Sequence, residues 1–164
     1  ESNSPELASQ LLENVVLEMN RVDKLMSPYK PNSELSILNK NAAKGYFKIS
    51  QELFDLLKKS EEYSKLTGGA FDVTFSSVGY LYDYRKESKP DAGTIESLKS
   101  SINFKSIQLK PDATEVKFLD ENTKIDLGGI AKGHAVDQCI ELLKRHGIKN
   151  AFVSAGGDSR VIKK

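Results

Sequence analysis

An acid, two glycines and a lysine follow one another in Asp126-Leu127-Gly128-Gly129-Ile130-Ala131-Lys132-Gly133. The order predicts a strand that delivers Asp126, a glycine turn, and a helix with Lys132 in its first turn. Glycines at such a place let a ligand come close to the backbone, and free N–H groups at a helix start attract phosphate oxygens. Lys132 adds a full positive charge there, and the Asp126 carboxylate could accept hydrogen bonds from a base or a sugar hydroxyl. Neither G-x-G-x-x-G nor G-K-[ST] occurs, so this is not a dinucleotide fingerprint or a Walker loop. The competing reading is a tight strand-to-helix turn with a solvated lysine, and the residues alone leave both open.

Three further segments carry chemistry-bearing residues. Thr67-Gly68-Gly69-Ala70-Phe71-Asp72-Val73-Thr74 puts an acid directly behind an aromatic where a strand is expected to emerge, room for a base-binding notch. Two glycines after a helix are usually a plain C-cap and nothing more. In Met26-Ser27-Pro28-Tyr29-Lys30-Pro31-Asn32-Ser33-Glu34-Leu35-Ser36, Tyr29 lies between two prolines, a stiff loop able to hold a ring out for stacking. Ser154-Ala155-Gly156-Gly157-Asp158 is a second glycine turn bearing an acid.

The elements that must position these segments follow from periodicity and caps. Ser4 and Pro5 start a helix of about 20 residues whose apolar face runs through Leu7, Leu11, Val15, Met19, Val22 and Met26 at three- and four-residue steps. Pro28 ends it, and Ser33 caps a short turn over Glu34–Leu38. Ser50 caps a second long helix, stopped by Gly68-Gly69. Phe71 to Tyr84 reads as extended chain, Glu87 to Gly93 as an exposed loop, and Thr94 as the cap of a short helix to Ser101. Strands are expected at Ser106–Leu109, Glu115–Leu119 and Lys124–Leu127. A third long helix runs from about Ile130 to His146 with Cys139 on its buried side. A strand at Ala151–Ser154 follows, and another starts near Ser159. Helices first and strands later give α+β with a mostly antiparallel sheet, in one domain over residues 1–164.

The composition removes some function classes. Across 164 residues, 24 Lys and Arg oppose 23 Asp and Glu for a net charge of +1. That gives no electrostatic footprint for nucleic acid, so no nucleic-acid partner is expected. The one cysteine, Cys139, permits no intramolecular disulfide and no thiolate metal cluster. A chain that opens on Glu1 and closes in an apparent strand reads as trimmed, with any signal peptide or lipid anchor expected upstream.

In order, the four segments resemble the ApbE family of FAD:protein FMN transferases. That family shows M-S-x-[YW]-x-P-x-S-E-[LI]-S-x-[LF]-N (here Met26 to Asn39), T-x-G-A-F-D-[VP]-T (Thr67 to Thr74), D-L-G-[GA]-I-A-K-G-[YH]-A-V-D (Asp126 to Asp137) and [SA]-x-G-G-[DN] (Ser154 to Asp158). The resemblance implies an ApbE-like, T-fold-related sandwich with FAD in a cleft between its parts. It implies that Tyr29 flanks the isoalloxazine ring, that Ala70, Phe71 and Asp72 line the nucleotide pocket, and that Asp126 holds part of the FAD. Lys132 is then both a pyrophosphate contact and the catalytic residue, and the Gly129 carbonyl is one Mg2+ ligand. The family's side-chain metal ligands lie in a carboxy-terminal half, so the domain is expected to be incomplete at its C-terminus.

The implied reaction moves FMN from FAD to a Thr or Ser hydroxyl of an acceptor flavoprotein, in a membrane redox complex, and releases AMP. The implied place is the periplasmic side of the bacterial inner membrane, by a lipid anchor. The alternatives are an FAD pyrophosphatase using water as nucleophile and a non-catalytic FAD-binding lipoprotein. His134 stands where the family more often has tyrosine and could approach the ligand, while His146 suits the negative end of its helix.

Overall fold

Serines and an aspartate open four of the helices. The computed structural model describes residues 4–83 and 86–163. Helix α1 (Pro5–Met26) begins behind Ser4, whose hydroxyl accepts from the Leu7 N–H. Helix α2 (Glu34–Asn41) follows Ser33 and α3 (Gln51–Leu66) follows Ser50, each serine accepting from an N–H three residues on. After them come α4 (Ser76–Gly79), α5 (Ala92–Leu98) and α6 (Ala131–Arg145). The strands are β1 (Phe47–Lys48), β2 (Ile107–Lys110), β3 (Glu115–Phe118), β4 (Ala151–Ala155) and β5 (Asp158–Ile162).

Strands β1, β3 and β2 form one sheet in that order, and β4 and β5 form a hairpin; every pairing is antiparallel. The fold is α+β. Leu35, Leu38, Leu53, Phe118, Ile125 and Leu127 are fully buried between the small sheet and helices α2 and α3. A second apolar cluster, Val136, Cys139, Ile140 and Val153, joins α6 to the hairpin and packs on Val15 and Met19 of α1. Among the described residues no helix is long and apolar enough to cross a membrane.

Three expectations are corrected. Phe71–Tyr84 is not extended: Asp72 caps a 3-10 turn over Val73–Phe75, which runs into α4. The Asp72 carboxylate accepts from both the Thr74 N–H (2.8 Å) and the Thr74 hydroxyl (2.6 Å), and this local bond overrides the β propensity of the surrounding residues. Tyr84 itself lies outside the described residues, as does Lys164. Second, Asp91 rather than Thr94 caps α5; Thr94 sits three residues on, donating its N–H and hydroxyl to that carboxylate. The two-residue strand β1 carries no sequence signal of its own.

Third, Lys124–Leu127 joins no ladder. The Asn39 side chain takes the place of a neighbouring strand. Its amide donates to the Ile125 carbonyl and its oxygen accepts from the Ile125 N–H, both at 2.9 Å. One side chain thereby satisfies both backbone groups of a fully buried residue. Asn39→Leu leaves these two groups unpaired and should cost about 1–3 kcal/mol, measured as a lower urea midpoint.

Candidate active site

Helix α6 begins without a cap. Its N-cap position is Ile130, whose side chain makes no hydrogen bond, whereas α1, α2, α3 and α5 all start behind a capping oxygen. The Leu127 carbonyl accepts from the Ile130 N–H (2.8 Å) and the Ala131 N–H (2.7 Å), and the Ile130 carbonyl accepts from His134 (3.0 Å). The N–H groups of Lys132 and Gly133 have no partner among the described residues. They are the groups a cap would satisfy, and they are the groups an anion would take.

The other three segments converge on this helix start. The Asp126 N–H donates to the Val73 carbonyl at 2.9 Å, tying the Thr67–Thr74 segment to the glycine turn. Phe71 then lies against Gly129, where any Cβ would come within 3.3 Å of its ring. On the other side the Lys132 ammonium donates to the Gly156 carbonyl at 3.2 Å and lies 3.9 Å from the Asp158 carboxylate. Gly156 has φ +58 and passes so close that a Cβ there would sit 3.1 Å from Lys132 Cδ.

The Met26–Ser36 loop completes the site. The Ser33 hydroxyl donates to the Ser27 carbonyl at 2.7 Å, and Lys30 pairs with Asp23 of α1. The loop so pinned presents Tyr29 with 91 % of its surface exposed. Tyr29, Met26 and Pro28 from this loop, with Gly128, Lys132 and Ala155, line an apolar cleft of about 300 Å3. An exposed ring on one wall and the Lys132 cation on another, beside the uncapped helix start, suit a ligand that joins a flat aromatic group to a phosphate.

The polar residues of the segments divide into two sets. Asp72, expected at the nucleotide pocket, has its carboxylate filled: one oxygen holds Thr74 and the other accepts the Phe104 N–H at 2.9 Å. These bonds fix the shape of the segment. Ala70 is exposed beside it, and Phe71 meets Tyr63 edge-on with ring centroids 6.1 Å apart. Asp126 uses one oxygen on the Gly128 N–H (2.6 Å), and its other oxygen has no partner among the described residues. Glu34 pins the cap of α3, accepting from the Ser50 N–H and hydroxyl. Cys139 is buried in the core, where burial pushes its thiol up, and the His146 ring bonds the Leu142 carbonyl at the end of α6.

Magnesium takes about six oxygen ligands in an octahedral shell. The Gly129 carbonyl accepts none of the hydrogen bonds at the turn, which leaves it available as one such oxygen. Among the described residues no three His, Cys, Asp or Glu side chains gather as a metal site. The rest of a shell would have to come from elsewhere.

His134 points away from the cleft. Its Nε2 lies 2.7 Å from a Glu52 oxygen, and the Arg21 guanidinium clasps the same carboxylate at 2.6 and 2.8 Å. Arg21 above all, with His134, holds the Glu52 carboxyl down to about 2. Neither Arg21 nor Glu52 stood out in the sequence, because partners 31 and 82 residues apart leave no spacing signal.

Fold and site together define an α+β domain organised around an uncapped helix N-terminus beside an aromatic-walled cleft. The chain belongs to the ApbE family, whose model matches residues 3–164. It is 33% identical over 147 residues to a FAD:protein FMN transferase of Haemophilus influenzae, covering 85% of this chain and 42% of that protein. A Vibrio cholerae protein of the same description is 30% identical over 145 residues, covering 87% and 43%. The chain thus spans less than half the length of these relatives. Among solved structures, the Thermotoga maritima ApbE protein superposes with a TM-score of 0.85 at 27% identity, over 94% of this chain and 51% of that one. The Vibrio cholerae flavin transferase ApbE gives 0.86 at 25%, over 94% and 50%.

The lowered Glu52 carboxyl has a pH signature. Its ordinary value is 4.5 and its folded value about 2, so its contribution to stability is fully present above pH 4.5 and is lost as pH falls through about 2. Urea unfolding at stepped pH should show the native chain weakening across that window, and Glu52→Gln both weaker above it and flatter within it.

Proposed function

We propose that this chain is the amino-terminal and central part of an FAD:protein FMN transferase. The observation that carries the reading is the meeting of all four segments at the uncapped start of α6, through the Phe71–Gly129 and Lys132–Gly156 contacts and the cleft that Tyr29 shares with Gly128 and Lys132. The matching relatives carry that activity in their names and supply the substrate class.

In this reading the isoalloxazine ring stacks on Tyr29, and the pyrophosphate lies over Gly128 and Gly129. Its oxygens take the Lys132 and Gly133 N–H groups in place of a cap. A Thr or Ser hydroxyl of the acceptor attacks the FMN phosphorus, the bond to the AMP oxygen breaks, and the hydroxyl proton is lost to solvent. Such phosphoryl chemistry needs alignment and charge neutralisation more than covalent help. Lys132 supplies a cation where negative charge grows on the leaving AMP. Magnesium, held in part by the Gly129 carbonyl, would add neutralisation at the same oxygens. Asp126 has one carboxylate oxygen free to accept from the nucleotide.

The acceptor is a flavoprotein with a Thr or Ser modification site, and we place it in a membrane redox complex. We place the complete protein on the periplasmic side of the bacterial inner membrane, held by a lipid anchor. Both placements rest on the family resemblance.

The complete protein, incubated with FAD, Mg2+ and a candidate acceptor, should give covalent flavin fluorescence on the acceptor and stoichiometric AMP. AMP without an acceptor would favour hydrolysis, and FAD binding without AMP would favour a carrier. Lys132→Ala should slow transfer about 100-fold or more while FAD affinity, read by flavin fluorescence quenching, changes much less. Equal losses in the two measurements would leave Lys132 a binding role alone. Tyr29→Ala should weaken FAD affinity by about tenfold through lost stacking.

A further inference from the structure

We infer that Glu52 is a positioning residue for this site, acting through His134 to fix the first turn of α6 and with it Lys132 and the Gly128-Gly129 bend. The inference rests on the proposed function for its consequence in catalysis, and on geometry alone for its consequence in structure.

Four side chains form one continuous link across three helices. Glu18 and Arg21 lie on α1 and are joined at 2.8 and 2.9 Å. Arg21 holds both oxygens of Glu52, which lies in the first turn of α3. Glu52 meets His134 in the first turn of α6. The Glu52 and His134 side chains are only 25% and 16% exposed, so this pair is shielded from water far better than a surface ion pair. The bidentate grip of Arg21 leaves the carboxylate little freedom to follow a moving partner.

His134 comes two residues after Lys132, which at 3.6 residues per turn puts the two side chains about 200° apart around the helix. The helix start is therefore held from two sides. Lys132 reaches the Gly156 carbonyl on one side, and His134 reaches Glu52 on the other. Ile130 offers no capping bond to share the load. Glu52 itself borders a separate surface groove with Gln51, Asp55, Lys59 and Gln138, and is not among the residues lining the Tyr29 cleft. Its link to the Tyr29 cleft runs through His134, which lines this groove and another with Gly129, Gly133 and Asp158, and through the helix start.

Two variants of His134 separate the anchor from the rest of the side chain. His134→Gln keeps an N–H that reaches Glu52; His134→Leu removes it. In the complete protein, His134→Leu should lower kcat for AMP formation by about tenfold or more with FAD affinity within about twofold, because misplaced groups cost rate before affinity. His134→Gln should recover most of kcat, and thermal melting should confirm that both variants are folded. A second readout is independent of activity: the rate at which acetic anhydride labels Lys132, followed by peptide mass spectrometry. Labelling should rise about threefold or more in His134→Leu, as the amine loses its fixed contact with Gly156, and stay native in His134→Gln. Unchanged Lys132 labelling in a folded His134→Leu, or loss of rate that His134→Gln fails to recover, would overturn the inference. A native protein that makes neither AMP nor flavinylated acceptor would overturn the proposed function instead, and the labelling result would still decide the positioning role.

Discussion

A single backbone hydrogen bond, from the Asp126 N–H to the Val73 carbonyl at 2.9 Å, brings together two stretches more than fifty positions apart in sequence. With that bond in place Phe71 lies across the glycine turn, so close that a Cβ on Gly129 would stand 3.3 Å from its ring and make the ring give way by a few tenths of an ångström. The turn then sets the direction in which α6 departs. That direction carries Lys132 to the β4–β5 turn and Gly128 to the cleft below Tyr29. The glycine turn and the start of α6 thus take their place from two segments held edge to edge.

The polar residues that make the motifs conspicuous in sequence mostly build this frame. Ser33 caps α2 and closes the Tyr29 loop, Glu34 grips the cap of α3, Asn39 stands in for a strand, and Asp72 binds Thr74 and the Phe104 N–H. What they leave open to a ligand is sparse: an exposed ring, a run of bare backbone, one carboxylate oxygen and one amine. A binding site of this kind gains from having few flexible donors of its own, since preorganised groups lose little entropy when a ligand arrives. The helix start is the clearest instance, because its missing cap leaves N–H groups already aimed outward.

Much of this was legible in the residues. Caps at Ser4, Ser33 and Ser50, and the helix at Ala131–Arg145, follow from local rules that act within one turn of chain. The convergence of the glycine turns could be suspected from their likeness. The remainder depended on partners distant in sequence. Composition at Phe71–Gly79 favours strand, but a carboxylate bonding its second neighbour settles the backbone otherwise. The Lys124–Leu127 stretch has the alternation of a strand and lacks only a ladder, since its neighbour is a side chain from residue 39. Glu52 and Arg21 look like ordinary helix-surface charges until three helices are packed. His134, read as able to approach a ligand because it lies in the first turn of the helix, has its ring nitrogen on Glu52 and lines a groove with Gly129, Gly133 and Asp158.

The β4–β5 hairpin ties electrostatics to parity. Directly opposed residues share a face of a two-stranded ribbon, so Val153 with Arg160, and Ala155 with Asp158, all look toward α6. Val153 is buried there, Arg160 meets Asp137 at 2.7 Å, and Asp158 stands near Lys132. Phe152 and Val161, opposed to each other, face away and are exposed. A slip of one position would turn one strand over against the other, so that either Val153 leaves the core or Asp158 and Arg160 leave α6. Oil and charge therefore enforce one alignment between them, and the apolar core proofreads the placement of the carboxylate.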